Sequence, residues 1–194
     1  MTNPVLDAIK NRRSTRQFTE EQVSPEQLDI LLDAAIWAPS GSNSQSWRFT
    51  AIQKPDILLK LNELVREGFL YRYEPDDDYP SKKFAKNAAE NEKYNFYYHA
   101  PTLIISSNVG GYANALADSA LALENLFLAA ESIGLGTCYI NQLHWLENDE
   151  PIREYLAELG IPRDHVICAS ASVGNIKSPS PAPERKPDTI SIIR

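Results

Sequence analysis

Residues 114–133 constrain the fold of this chain more than any other segment. They carry apolar side chains on nearly all faces of a predicted long helix, and Gly134 marks its end. The large apolar residues of the segment are Leu116, Leu121, Leu123, Leu126, Phe127, Leu128 and Ile133. A helix that is apolar all round has to be buried on every side. In a chain of 194 residues a second subunit achieves this most easily, so the sequence predicts a homodimer built around this helix.

Composition limits the classes of function that remain. With 194 residues, of which 43% are hydrophobic, the chain is long enough for one domain, predicted to span residues 1–194. The net charge of -7 argues against a nucleic-acid-binding surface. No apolar leader follows Met1, and charged residues interrupt the longest apolar stretch. We therefore expect a cytoplasmic protein that does not span a membrane.

Start and stop signals divide the chain into alternating helices and strands. Asn3-Pro4 and the capping box Ser24–Gln27 open the first two helices. Helices are predicted at residues 4–12, 25–36, 56–69, 114–133 and 149–160. Strands are predicted at residues 47–52, 102–106, 136–140, 166–173 and 189–193. No internal repeat is apparent.

Two segments depart from this regular pattern. Residues 70–99 contain an acidic run, Glu74 to Asp78, and form with Phe69 a stretch that holds nine of the fifteen Phe and Tyr residues. We interpret this insertion as a lid over a planar ligand, or as a set of rings that pack the edge of their own subunit. Residues 178–194 are rich in proline and predict an extended arm whose last strand joins a sheet edge, that of the neighbouring subunit being one choice.

The cysteines and histidines do not show the spacing that is typical of a metal site. Cys138 and Cys168 lie in apolar, strand-like segments, which is typical of reduced core thiols. The three histidines are scattered along the chain without ligand spacing. We therefore predict no metal ion.

Two polar motifs near the N-terminus indicate an anionic ligand. Residues 12–16 read Arg-Arg-Ser-Thr-Arg, and residues 38–47, after one predicted helix, read Ala-Pro-Ser-Gly-Ser-Asn-Ser-Gln-Ser-Trp. Guanidinium groups match phosphate oxygens, and hydroxyl and backbone N–H groups of a turn complete such a site. The pair of motifs predicts a phosphate-bearing cofactor.

This pair of motifs resembles the signature of the nitroreductase family of FMN enzymes. The resemblance extends to the segment Tyr97 to Ile104, to residues 134–138 and to Arg185-Lys186-Pro187. One residue departs from the pattern, because Ser46 stands where the family usually has proline. The resemblance implies an α+β fold, a three-layer sandwich in which helices flank a mixed, mostly antiparallel sheet. It also implies a homodimer with two FMN molecules at the subunit interface.

The resemblance further implies which residues bind FMN. Arg12, Ser14 and Arg185 would hold the phosphate and ribityl chain, with Arg13 beside them, and Arg16 would lie near the pyrimidine edge of the flavin ring. From the other subunit, the residues bordering the ring would be Pro39, Ser40, Gly41 and Asn43. A backbone N–H between Cys138 and Gln142 would face flavin N5, and Asn141 is our candidate. In residues 70–95 the possible counterparts of the family's ring contacts are Asn87 with Lys83 or Lys86.

The chain is therefore expected to be an NAD(P)H-dependent flavin oxidoreductase. FMN carries the redox chemistry, so no catalytic side chain is assigned, and Arg16 is expected to tune the cofactor. Electron-poor acceptors such as nitroaromatics or quinones would take the hydride. No dinucleotide fingerprint is present, so nicotinamide would stack directly on the flavin. The alternative hypothesis is a flavin-binding or flavin-sensing protein without turnover.

Overall fold

The computed structural model describes residues 3–74 and 79–194 and contains one four-stranded antiparallel sheet. The strands are β1 (Arg48–Ile52), β2 (Thr102–Val109), β3 (Leu135–Ile140) and β4 (His165–Asn175), and they lie in the order β1-β2-β4-β3. All three strand pairings are antiparallel, and an isolated parallel bridge joins Ser14 to Thr137. The predicted α+β class with a mostly antiparallel sheet is confirmed.

Helices cover both faces of this sheet. They are α1 (Pro4–Asn11), α2 (Pro25–Ile36), α3 (Pro55–Glu67), α4 (Pro80–Ala88), α5 (Ala115–Ser132), α6 (Gln142–Trp145) and α7 (Glu150–Glu158). The short helix α6 was not predicted, because four residues are too few for a periodic pattern. No helix among the described residues is long and apolar enough to cross a lipid bilayer.

The helix boundaries follow the predicted capping residues. The Asn3 side chain accepts hydrogen bonds from Val5 N at 3.0 Å and Leu6 N at 3.3 Å. Ser24 and Gln27 form the reciprocal capping box of α2. Gly134 follows α5 with φ of 79°, a left-handed conformation that glycine adopts without strain.

Alternation along β2 divides the core into two layers. Leu103 and Ile105 point to one face and pack with α3 and α7, whereas Ile104 points to the other face and packs with α2 and α5. This period of two is what allows one strand to serve both cores. The sheet is therefore the middle layer of a three-layer sandwich.

The ring-rich insertion contributes to the first of these cores. Phe69, Phe96 and Tyr97 are buried there, which favours the reading that these rings pack their own subunit. Tyr71, at 77% exposure, and Phe84, at 74%, remain on the surface. Residues 75–78, which make up most of the acidic run from Glu74 to Asp78, lie outside the described residues.

One predicted strand is wrong for the single chain. Residues 189–193 form no strand, and Ile190, Ile192 and Ile193 are all strongly exposed. Alternating isoleucines indicate a strand only where a sheet edge is available to pair with them. The two cysteines are buried and free, in agreement with the prediction of core thiols.

Replacing Leu61 by Ala should lower the free energy of unfolding by about 2–5 kcal/mol, because Leu61 is fully buried on α3 and leaves a cavity. Leu59 on the same helix is 55% exposed, so Leu59→Ala should cost less than about 0.5 kcal/mol. Urea unfolding at fixed protein concentration measures both values, and equal costs would contradict the assigned burial.

Candidate functional site

The basic segment of residues 12–16 lies along the free edge of β3. Thr15 N donates a hydrogen bond of 2.8 Å to Thr137 O, next to the bridge of Ser14 with Thr137. A Cβ atom on Gly136 would come within 2.6 Å of Thr15 Oγ1, so the close approach requires glycine at this position. The segment therefore extends the sheet beyond β3, and this attachment positions the backbone from which its arginine side chains project.

Arg12 and Arg16 flank in sequence the residue that bridges to β3, Ser14. Burial raises the pKa of the Cys138 thiol, and the positive charges of Arg16 and Arg12 act in the opposite direction. The Arg12 guanidinium carbon lies 5.8 Å from the centroid of the Phe127 ring, and that of Arg16 lies 5.8 Å from the Tyr98 ring. Both cations thus rest on aromatic side chains that fix their direction.

The charge on these two arginines is weakly compensated. Arg12 Nε lies 3.7 Å from Glu124 Oε1, and the Glu124 side chain is half exposed to solvent. Arg16 has no carboxylate oxygen within 4.0 Å among residues 3–74 and 79–194. The pKa of Arg16 is raised overall. Burial lowers it, but the interactions with Cys138 and Tyr98 raise it and outweigh the effect of burial. Among the described residues, Arg16 is thus without a carboxylate partner and Arg12 has only a half-exposed one, an arrangement that suits an anionic ligand.

Arg13 has a different role from its neighbours. Its Nη1 donates hydrogen bonds to Lys10 O at 2.7 Å and to Arg12 O at 2.8 Å. These carbonyl groups belong to the C-terminal end of α1, which a cation stabilises through the helix dipole. The structure therefore places Arg13 as a cap of α1.

The C-terminal arm reaches the basic segment through Ser180. Ser180 Oγ donates a hydrogen bond of 3.1 Å to Ser14 O. Arg185 follows five residues later and is exposed; an extended chain of that length spans at most about 17 Å. The arm therefore contacts the basic segment near the start of the arm, and Arg185 lies within reach of that segment.

The second motif forms a tight turn at the other end of α5. Gly41–Asn43 is a single 3₁₀ turn, and Gly41 N lies 3.2 Å from both carboxylate oxygens of Asp118. Nine residues separate Asp118 from Phe127, which contacts Arg12, and this is about 13 Å along a helix. The second motif, with Pro39, Ser40 and Asn43, therefore lies at the opposite end of α5 from the contact of Arg12 with Phe127.

The remaining candidates lie near the end of β3 and on α4. Asn141 precedes α6, and its carbonyl accepts a hydrogen bond of 2.9 Å from Trp145 N. Lys86 Nζ donates to Tyr73 O at 2.8 Å and to Glu74 Oε1 at 2.6 Å, so this lysine is tied to the insertion itself. Lys83 and Asn87 are exposed on α4.

Tyr98 is a site residue that the sequence reasoning missed. Its ring lies against Arg16, and its backbone is left-handed with φ of 56°. His99 follows with φ of 54°. Two consecutive left-handed residues with side chains are unusual, but no sequence motif marks them. Only the ring-rich composition of residues 70–99 could have drawn attention to Tyr98.

The chain is similar in sequence and structure to known flavoproteins. A nitroreductase with bound FMN from Bacteroides fragilis superposes with a TM-score of 0.90 at 36% identity, and the match covers 100% of both chains. The nitrobenzene nitroreductase of Ectopseudomonas oleovorans is 28% identical over 203 residues, covering 89% of this chain and 87% of the relative. The FMN reductase (NADPH) of Bacillus subtilis is 29% identical over 145 residues, covering 71% of this chain and 54% of the relative.

The family model agrees with the geometry described above. It matches residues 9–175, which include the basic segment, the polar turn and all four strands. The C-terminal arm lies beyond the matched range. The chain therefore belongs to the nitroreductase family.

Proposed function

We propose that this protein is an FMN-dependent oxidoreductase that passes hydride from NAD(P)H to an electron-poor acceptor such as a nitroaromatic or a quinone. The observation that carries the proposal is the attachment of the segment that bears Arg12 and Arg16 to Thr137 of β3, with no buried carboxylate paired to either arginine among residues 3–74 and 79–194. Membership of the nitroreductase family supports the same conclusion.

The residues along β3 fit the chemistry of FMN. Arg12 and Ser14 supply a cation and a hydroxyl for a phosphate group, and Arg185 on the arm supplies a second cation. Arg16 carries a positive charge and is held over an aromatic ring. Such a charge is expected beside the pyrimidine edge of a flavin. Bound FMN would accept and donate the hydride. The chain's own task is then to hold and orient the cofactor and to set its potential.

A homodimer would complete the site. The turn of Ser40, Gly41 and Asn43 lies at the far end of α5 from Arg12, so a second chain is needed to bring such a turn to the flavin. Apolar residues left exposed in the single chain support this assembly. They are Val5, Leu6 and Ile9 on α1 and Leu116 and Leu121 on α5. Burying several hundred Å² of such surface would contribute on the order of 10 kcal/mol before association costs.

Arg12→Ala and Arg185→Ala should both weaken FMN retention, because each removes a cation from the proposed phosphate site. The visible spectrum of the purified protein gives the flavin occupancy, and titration of the apoprotein gives the Kd. Arg163→Ala is the matched control, since Arg163 pairs with Glu150 away from this site. Full retention in both variants would count against the phosphate assignment. A colourless wild-type protein that does not take up FMN would overturn the proposed function.

Arg16→Ala should leave FMN bound but lower its midpoint potential, because a cation near the pyrimidine edge favours the negative charge that accompanies reduction. Arg16→Lys keeps the charge and should keep most of the potential. Spectroelectrochemical titration measures both variants. An unchanged potential in Arg16→Ala would remove this role from the residue.

Leu121→Glu should shift the protein from dimer to monomer and reduce flavin retention, because it places a charge in the proposed interface on α5. Leu59→Glu is the control, since Leu59 is exposed to a similar extent on α3. Light scattering coupled to gel filtration gives the mass. A wild-type protein that is monomeric at micromolar concentration would contradict the dimer.

The turnover assay separates this proposal from flavin storage or sensing. NADH and NADPH are supplied with a nitroaromatic or a quinone, and nicotinamide oxidation is followed by absorbance. Yellow protein that consumes neither nucleotide with either acceptor would favour binding without turnover.

A further inference from the structure

We propose that Asp118, Tyr112 and Asn108 are positioning residues that hold the turn of residues 40–46 in the shape required to contact FMN. The inference rests on the proposed function, in which Ser40, Gly41 and Asn43 border the flavin. It concerns residues of α5, β2 and the loop between them that make no contact with the cofactor in that proposal. Their action is through the turn alone.

Asp118 anchors the start of the turn. Asp118 is only 3% exposed, although its side chain is a carboxylate. It lies in the first turn of α5. Gly41 N lies 3.2 Å from Oδ1 and 3.2 Å from Oδ2, and the Tyr112 hydroxyl lies 2.9 Å from Oδ2. The positive end of the helix dipole favours a carboxylate here. The buried charge is thus satisfied by donors of the turn and of Tyr112.

Tyr112 links this anchor to the middle of the turn. Its hydroxyl oxygen lies 2.9 Å from Asp118 Oδ2, 3.0 Å from Gly41 O and 3.0 Å from Ser44 Oγ. A phenol has one proton to donate, and the charged carboxylate is the stronger acceptor. Tyr112 therefore donates to Asp118 and accepts from Ser44, so that one hydroxyl joins α5 to the middle of the turn.

Asn108 anchors the end of the turn. Ser46 Oγ donates a hydrogen bond of 2.8 Å to Asn108 Oδ1, and Asn108 is fully buried on β2. The Ser46 hydroxyl thereby ties the end of the turn to the sheet by a hydrogen bond.

The backbone of the turn explains why such anchors are needed. Ser42, Asn43 and Gln45 have φ of 53°, 54° and 47°, so three residues with side chains are left-handed within four positions. Such backbone is disfavoured and persists where its surroundings fix it. A Cβ atom on Gly41 would come within 2.6 Å of the Tyr112 hydroxyl, which shows how closely the turn approaches its support.

The test compares Asp118→Asn with Glu131→Gln, a charge-neutralising change on the same helix at its other end. Asp118→Asn keeps the size of the side chain but replaces one acceptor oxygen by a donor, which opposes Gly41 N–H or Tyr112 O–H. We expect its Kd for FMN to rise about tenfold, and amide hydrogen exchange of residues 40–46 in the apoprotein to accelerate about tenfold. Glu131→Gln should match wild type in both measurements, and exchange of residues 122–130 should remain slow in both variants.

Tyr112→Phe and Ser46→Ala give independent evidence, including the case in which Asp118→Asn fails to fold. Each removes one hydroxyl and should raise the Kd for FMN about threefold to tenfold. Because Tyr112 and Asp118 belong to one network, the double variant should be little worse than Asp118→Asn alone. An additive loss in the double variant would contradict the shared anchor.

Two outcomes distinguish failure of this inference from failure of the proposed function. A wild-type protein that binds FMN, with all three single variants within twofold of its Kd and with unchanged exchange in the turn, would overturn the inference alone. A wild-type protein that takes up no FMN would overturn the proposed function and this inference with it. Accelerated exchange confined to residues 40–46, together with weakened FMN binding, is the expected result.

Discussion

Packing of α5 against the sheet is the interaction on which the rest of this structure depends. The buried side of α5, which includes Leu123 and Leu126, packs against Ile104 of β2 and against the residues of β4 on the same face of the sheet. The same helix supplies Phe127, on which Arg12 rests, and Asp118, which holds Gly41. Hydrophobic burial of one helix therefore fixes the positions of both polar motifs.

The two motifs are held by different means because their tasks differ. The basic segment is attached to β3 by backbone contacts, which leaves the guanidinium groups of Arg12 and Arg16 available for a ligand. The polar turn is attached by side-chain acceptors on buried residues, so that its backbone keeps a left-handed shape. Asp118 and Phe127, which contact the two motifs, are nine positions apart on α5, or about 13 Å along its axis.

Sequence patterns predicted much of the fold because the signals were local. Caps at Asn3 and Ser24, the stop at Gly134 and the strand at residues 102–106 each depend on residues within one turn or one strand. The strand expected at residues 189–193 does not form in the single chain, because strand formation depends on pairing with another strand and these residues pair with none. The hydrogen bonds of Arg13 to the end of α1 could not be predicted, because they depend on the direction of its side chain.

By itself, the sequence determined most helices and strands and the cationic character of residues 12–16, since these follow from periodicity and charge, and its two motifs carried the resemblance that implied the family and the class of fold. Only the tertiary structure decided which cations meet at β3, because Cys138 and Tyr98 are distant from Arg16 along the chain. It also decided that Asp118 and Asn108 support the polar turn. Contacts between residues far apart in sequence arise from packing, and no local pattern encodes them.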